Sequence, residues 1–495
     1  MDTIELTGEG LSVEALEKVV AGARVSLSVE ALRRMEAAHQ VIRKAVDERR
    51  PVYGVTTGLG PRVTEALSED EISAMALNTI RGRAHSAGPD LSFDAGRAAL
   101  AVRINTLLIG GAGVRPALAE DLVAMLNAGL APVMRQAGST GAADLMWGGD
   151  FALGLIGEGR LFDDHGAVRP AGEVLSGAGL APIVPGPREG LALVSHSSVT
   201  AGVAALGICA LSRALAATER AAALSLTAFR ANLSALDPAL LALRPQAGQL
   251  EAAKAISALL EGSDLWSPGS ARRLQDPLSL RNIPQTHGAF YAALAAAREA
   301  VEQEMNAASD NPGVLVDRGE VASHGGYLTP HLTLVLSNLA QAVAQITAMQ
   351  QARIGKLMFE RFTGLPNGLT DAGAGGAGLA PVTKTAEALW AEIAHKAAPP
   401  PIYPSFSADG VEDISCLAPL SALALEPLAQ SWARLTAIEL MTATQAAGLR
   451  GAPIPSPLVP VMQSVRNASP LVTSDRPLGD GIEAIAQSIL SPGPI

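Results

Sequence analysis

Cysteine is nearly absent from this chain: two of its 495 residues, Cys209 and Cys416, are cysteines. Both sit in apolar or mixed contexts and neither belongs to a metal-ligand spacing. They suggest no disulfide framework and no metal spacing, so a reducing cytoplasm is the default expectation. An excess of basic charge is also missing. Lys and Arg number 37 against 48 Asp and Glu, a formal charge of −11 spread along the chain. This argues against nucleic acid as a partner. No uninterrupted apolar run reaches about 20 residues, so no membrane span is expected. The opening residues Met1-Asp2-Thr3-Ile4-Glu5 hold neither a basic nor an apolar stretch, so no secretory leader is expected.

Strand signals are few, and helical ones dominate. Ser12–Ala23 and Ser28–Glu48 read as helices, the second with Ser28 as N-cap and a stop at Arg49-Arg50-Pro51. From about Val199 onward the helices are alanine-rich. Leu332, Leu336, Leu339, Val343 and Ile346 form one apolar stripe, opened by Thr329 as cap and Pro330 as first helical residue. Phe290, Leu294, Ala297 and Val301 repeat the pattern on a helix that stops before Asn311-Pro312. The expected class is mainly α, a bundle of long helices with a loop-rich N-terminal lobe. The composition shift near residue 200 divides it into a lobe of 1–200 and a bundle of 201–495. Val168–Gly190 is rich in Pro and Gly and predicts a small hairpin. The glycine run Asp371–Gly378 follows no strand and lacks the Lys-Ser/Thr ending of a phosphate loop, so it reads as a flexible connector. Ala397–Pro404, with four prolines, marks another break.

The most informative stretch is Gly138-Ser139-Thr140-Gly141-Ala142-Ala143-Asp144-Leu145, which feeds the helical segment Leu145–Ile156. A loop of this kind presents free backbone N–H groups and the positive end of a helix dipole. Upstream lies Val52-Tyr53-Gly54-Val55-Thr56-Thr57-Gly58-Leu59-Gly60. Downstream follow Gln275-Asp276-Pro277-Leu278-Ser279-Leu280-Arg281, Ser309-Asp310-Asn311-Pro312, Ser323-His324-Gly325-Gly326-Tyr327 and Val411-Glu412-Asp413. In this order the set resembles the histidine and aromatic amino-acid ammonia-lyase family, from about Tyr53 to about Asp413.

In that family the loop reads Gly-Ser-x-Gly-Ala-Ser-Gly-Asp-Leu, and its Ala-Ser-Gly cyclises with loss of two waters to an electrophilic methylidene-imidazolone. Here the matching residues are Gly141-Ala142-Ala143-Asp144. The serine is gone and the loop is one residue short, so no cofactor is expected.

The resemblance implies roles residue by residue. Tyr53 matches the tyrosine of the inner loop, a base or a group lying against the reacting carbon. A tyrosine of ordinary pKa, about 10, needs nearby cations to act as a base at neutral pH. Arg281 matches the arginine that pairs with a substrate carboxylate, for which a guanidinium fork is suited, and Gln275 precedes it. His85, in Arg83-Ala84-His85-Ser86-Ala87-Gly88, matches the histidine that faces the substrate ring in the histidine branch. Glu412 matches the glutamate that approaches the imidazole there.

Other positions depart from the pattern. Leu278 stands where the family has a tyrosine. Ser195-His196 replaces an Asn-Gly whose asparagine holds the cofactor's oxygen, and Tyr327 replaces an asparagine. Lys384 interrupts a segment the family keeps uncharged, where it reads as an exposed charge or as a buried acid. Thr140 belongs to the altered loop. These changes cluster around the missing cofactor and imply a rebuilt substrate site.

The methylidene-imidazolone turns an amine into a better leaving group. A quaternary nitrogen has no lone pair to attack it, and trimethylamine leaves without that help. The resemblance is therefore to a cofactor-free, ergothionase-like branch that eliminates trimethylamine from the betaine of a thiolhistidine. Arg281 would hold the carboxylate. His85, Glu412 and Lys384 would meet the thioimidazole, with Tyr53 removing the β-proton. A small amino-acid betaine is the expected partner and a homotetramer the expected assembly, because the family builds each site from several subunits. A lyase for another betaine, a conventional ammonia-lyase or aminomutase, and a non-catalytic binding protein remain as alternatives.

Overall fold

In a computed structural model of the chain, residues 3–59, 63–371 and 373–491 are described. Gly60 of the Tyr53 loop and Ala372 of the glycine run lie outside them. The fold is mainly helical, with five small sheets of two or three strands among the described residues. Two compact units emerge. The first comprises Met1–Cys209, Arg298–Leu336 and Pro400–Leu423; the second comprises Ala210–Ala297, Ser337–Pro399 and Ala424–Ile495. The first unit therefore recruits two later segments that no division in sequence order contains. The residue-200 composition shift falls just inside the long helix Ser198–Phe229.

Local signals hold where they are strong. Ser12 caps Val13–Val20, its side chain accepting from the Ala15 N–H, and Ser28 sits at the cap of Val29–Asp47. The helix Pro330–Leu357 opens on its proline, and every residue of the expected Leu332–Ile346 stripe is buried. Of the second stripe, Phe290, Ala297 and Val301 are buried and Leu294 is half-buried. Their helix, Ile283–Met305, ends before Asn311. Glu189–Phe229 and Pro330–Leu357 are long and apolar enough by composition to cross a membrane, and the apolar stretch of the first is mostly buried inside the protein, as in a core helix.

Two expectations are corrected. The hairpin of 168–190 is instead Val168–Pro170 paired antiparallel with Arg160–Phe162, followed by the helix Ala171–Gly177. The glycine run is also more than a connector. The backbone N–H groups of Ala377 and Gly378 both donate to the Asp475 carboxylate, at 2.9 Å each for the shorter contacts. Those bonds hold Asp475 below the usual carboxylate range. Successive N–H groups of glycine-rich backbone form an anion nest, and the chain fills this one with its own side chain.

The core of the first unit is the helix Phe93–Leu107, whose residues from Ala95 to Leu107 are all buried. Four of them are polar and each has a structural partner; Thr106 donates to the Arg103 carbonyl at 3.1 Å. Arg97 donates to the carbonyls of Val19, Val20 and Leu126, satisfying helix C-termini that would otherwise be orphaned. Arg103 forms a fully buried pair with Asp310, at 2.7 and 3.1 Å. Asn105 bonds the Met305 carbonyl and the Gly8 N–H. The second unit is built from its alanine-rich helices around Trp432, whose ring meets Phe290 edge-on at 5.1 Å.

Candidate active site

The altered loop is organised by Asp144. This residue caps the helix Leu145–Leu155 with φ 39°, in the left-handed region. Its buried carboxylate accepts from Ser139 Oγ at 2.6 Å, from the Thr200 N–H at 2.9 Å and from Thr200 Oγ1 at 2.8 Å. Burial pushes its pKa up, against those hydrogen bonds. One carboxylate thus ties the loop to the first turn of the Ser198–Phe229 helix, where an anion is favoured.

Gly141 must be glycine on two counts. Its φ is +84°, and a Cβ there would lie 2.5 Å from Cys416 Sγ. That thiol donates to the Gly141 carbonyl at 3.1 Å, and the Leu417 N–H donates to the Thr140 carbonyl at 2.9 Å. Gly148 and Gly149 follow inside the helix. A Cβ on Gly148 would strike the Val194 carbonyl oxygen at 1.9 Å, and one on Gly149 would strike the Arg83 backbone at 2.3 Å. The two glycines let the backbones before Ser195 and at Arg83 close on the helix face.

The result is a small cavity of about 80 Å³, lined by Tyr53, Leu59, Arg83, Ala142, Ala143, Leu145, Leu191, Ser195, Asn311, Tyr327 and Glu412. It shares Tyr53, Ala142, Asn311, Tyr327 and Glu412 with a wider one of about 620 Å³, which continues along Ser323, Gly325, Val411 and Asp413. Tyr53 is half-buried. Its turn is fixed by the Val52 N–H donating to Thr56 Oγ1 at 2.8 Å, and by Gly54, where a Cβ would meet Leu191 and Leu59. Glu412 opens the strand Glu412–Ile414. The hairpin turn before it carries three successive positive φ values, at Ala408, Asp409 and Gly410.

The Asn311 wall is braced from beneath. Arg188 is buried and donates to the carbonyls of Ala112, Asn311 and Pro312 at 3.0, 3.2 and 2.6 Å. Burial pushes its pKa down to about 10, despite the pull of Asp310. Burial also opposes the charge on Asp310, yet Arg103 and Arg188 hold that carboxyl below its ordinary range. Asn311 Oδ1 accepts from the His324 N–H at 2.9 Å, and His324 Nδ1 accepts from the Gly326 N–H at 2.9 Å. The loop carrying Tyr327 is thereby tied to Asn311.

The residues expected at the site divide. Tyr53, Ser195, Tyr327 and Glu412 come together. His196 does not line the cavity: it is wholly buried, its ring 5.3 Å from Phe151, because the chain turns inward between Val194 and Ser198. Burial pushes its pKa down to about 3, so it is a neutral core histidine. His85 and Thr140 are exposed and outside the cavity lining. Gln275 and Arg281 line a cavity of about 450 Å³ within the second unit. There Asp276 Oδ1, Arg281 Nε, Asn282 Oδ1 and Gln285 Oε1 are buried without a partner among the described residues. Lys384, also in the second unit, is exposed on the first turn of Val382–Lys396 and pairs with Glu387 at 3.0 Å. Arg83, Asn311 and Leu191 were not singled out. Asn311 was legible in its motif, whereas Arg83 enters through a close approach to Gly149 that no sequence pattern announces.

A family model described as aromatic amino acid lyase matches residues 11–468. The chain belongs to the aromatic amino acid lyase family. Among curated relatives, histidine ammonia-lyase of Symbiobacterium thermophilum is 33% identical, covering 99% of this chain and 97% of that one. The Streptomyces coelicolor histidine ammonia-lyase is 34% identical over 94% and 92%. Among solved structures, the ergothioneine-degrading enzyme ergothionase from Treponema denticola, in complex with desmethyl-ergothioneine sulfonic acid, gives a TM-score of 0.93. It is 26% identical and covers 99% of this chain and 98% of that one. Histidine ammonia-lyase from Trypanosoma cruzi gives 0.91 at 29% identity, over 99% and 93%. This member of the family is a lyase by descent, with the Tyr53–Glu412 cavity as its candidate site.

Proposed function

We propose that this lyase releases trimethylamine from a thiolhistidine betaine by β-elimination, without a methylidene-imidazolone. The observation that carries the reading is the cavity wall at Ala142 and Ala143. Neither side chain has a hydroxyl to lose, so the tripeptide Gly141-Ala142-Ala143 does not fit the dehydration that makes the ring. No step is therefore routed through that group. The likeness to ergothionase supports the substrate class.

In this reading Tyr53 takes the β-proton. The C–H electron pair becomes the new carbon–carbon double bond, and the Cα–N bond breaks to release neutral trimethylamine. Glu412 faces the ring and accepts from its N–H, which steadies the ring as charge shifts. Charge-assisted hydrogen bonds of this kind are short and strong. The carboxylate partner is Arg281 of another copy: it lines a second-unit cavity with unpaired polar atoms, and family sites are assembled from several subunits. A homotetramer follows from the same argument.

The test is to incubate the purified protein with ergothioneine and follow trimethylamine and thiol-urocanate. Release of both supports the reading. An intact mass lacking two waters in Gly138–Leu145, with ammonia released from histidine, would overturn it. That second outcome is the conventional ammonia-lyase reading, which the histidine ammonia-lyase relatives favour.

A further inference from the structure

Arg83 is a cation in the Tyr53–Glu412 cavity with no ion pair among the described residues. Among the described residues its one side-chain hydrogen bond is long, Nη1 to the Thr79 carbonyl at 3.5 Å. Arg83 is half-buried, and an arginine carries five N–H donors in a planar fork. The donors facing the cavity are therefore available to a ligand acceptor. The backbone at Arg83 is clamped against Gly149, so the guanidinium is presented from a fixed base. Burial pulls its pKa down, against attraction to Tyr53 and Glu412. An acceptor on the substrate would relieve that desolvation.

The carboxylate that lines the same cavity is Glu412, an acceptor. An acceptor and a donor lining one small cavity match a ligand that carries a donor and an acceptor close together. An imidazole-2-thione has that pattern: a ring N–H next to the C2 sulfur. Plain imidazole offers only a C–H at C2. We propose that Arg83 reads the sulfur of the substrate, donating to it while Glu412 accepts the adjacent ring N–H. The inference rests on the betaine reading above and makes Arg83 a specificity-determining residue for it.

The experiment compares ergothioneine with histidine betaine as substrates for the wild-type enzyme, Arg83→Gln and Arg83→Lys. Loss of a hydrogen bond to a charged donor should lower kcat/KM for ergothioneine about 10- to 100-fold in Arg83→Gln. Histidine betaine turnover should change less than about threefold, and Arg83→Lys should restore most of the preference, since one acceptor needs no bidentate fork. Equal losses on both betaines would overturn the proposal and make Arg83 a general anchor or a structural residue.

Binding of thiol-urocanate against urocanate to the same three proteins, measured by calorimetry, gives a readout without turnover. If wild type turns over neither betaine, the functional reading fails. Arg83 is then still judged by whether Arg83→Gln erases the preference for thiol-urocanate. A wild-type protein with no such preference overturns the Arg83 proposal by itself.

Discussion

Among the described residues each unit holds one fully buried arginine–carboxylate pair, and the two pairs serve different ends. Arg353 and Glu439 in the second unit are both fully enclosed, joined at 2.7 and 3.0 Å. Glu439 also accepts from Ser225, while Thr436, Gln350 and Trp432 extend a closed polar chain beside it. Neither side chain lines the second-unit cavity; the pair locks long helices in register. Arg103 and Asp310 are equally buried, but Asp310 is followed by Asn311, which lines the cavity. Here the pair carries the wall of a site. The comparison teaches that burial and geometry alone do not separate a structural ion pair from one that serves chemistry. What the neighbouring backbone borders does.

The largest effect should come from opening the second-unit pair. Arg353→Met leaves Glu439 charged and buried, and breaking a buried pair costs about 3–5 kcal/mol. Denaturant unfolding should show that loss, whereas the corresponding Arg103→Met should in addition lose turnover in protein that is still folded. Equal kinetic behaviour of the two folded variants would erase the distinction.

Next is Tyr53→Phe. Removal of a positioned base should lower turnover at least about 10²-fold while substrate affinity stays nearly unchanged. If more than about a tenth of the turnover remains, below the effect expected of a positioned base, Tyr53 is not the base and Tyr327 becomes the better candidate.

Acid response should separate two buried groups by sign. His196 in the first unit has its pKa lowered from 6.5 to about 3 by burial. Between those values the unfolded chain binds the extra proton, so stability falls as pH drops from 6.5 towards 3. Glu219 in the second unit, bonded by Tyr291 at 2.9 Å, has its pKa raised from 4.5 to about 7, again by burial. In that window the folded chain binds the extra proton, so stability falls as pH rises. Each slope is at most about 1.4 kcal/mol per pH unit. Urea titrations across pH 3–7 should show His196→Phe flattening the acid-side loss and Glu219→Gln flattening the other. A single variant that flattens both would refute this assignment.

The smallest effect concerns Lys384. Its exposed pair with Glu387 should be worth no more than about 0.5 kcal/mol, so Lys384→Met should leave thermal stability nearly unchanged. A large loss of turnover in that stable variant would place Lys384 in a site completed by another copy. No loss would leave it a surface charge.

Much of this protein was decided locally and is readable in the chain. Ser12 and Ser28 mark helix starts, Thr329-Pro330 opens the long Pro330–Leu357 helix, and its apolar stripe is core, because capping and amphipathic spacing act within a few turns. The loss of the serine hydroxyl at the Ala142-Ala143 step is likewise a fact of composition, and it bounds the chemistry before any coordinates. Tertiary structure decided the rest. Ser195 and His196 are neighbours in sequence, yet one faces the cavity and the other packs on Phe151. Arg83 is brought in by a glycine on a helix more than sixty residues away, and Asp475 fills the nest that a glycine run leaves open. Such outcomes depend on which distant backbone comes within van der Waals or hydrogen-bond reach, and no local pattern encodes that distance.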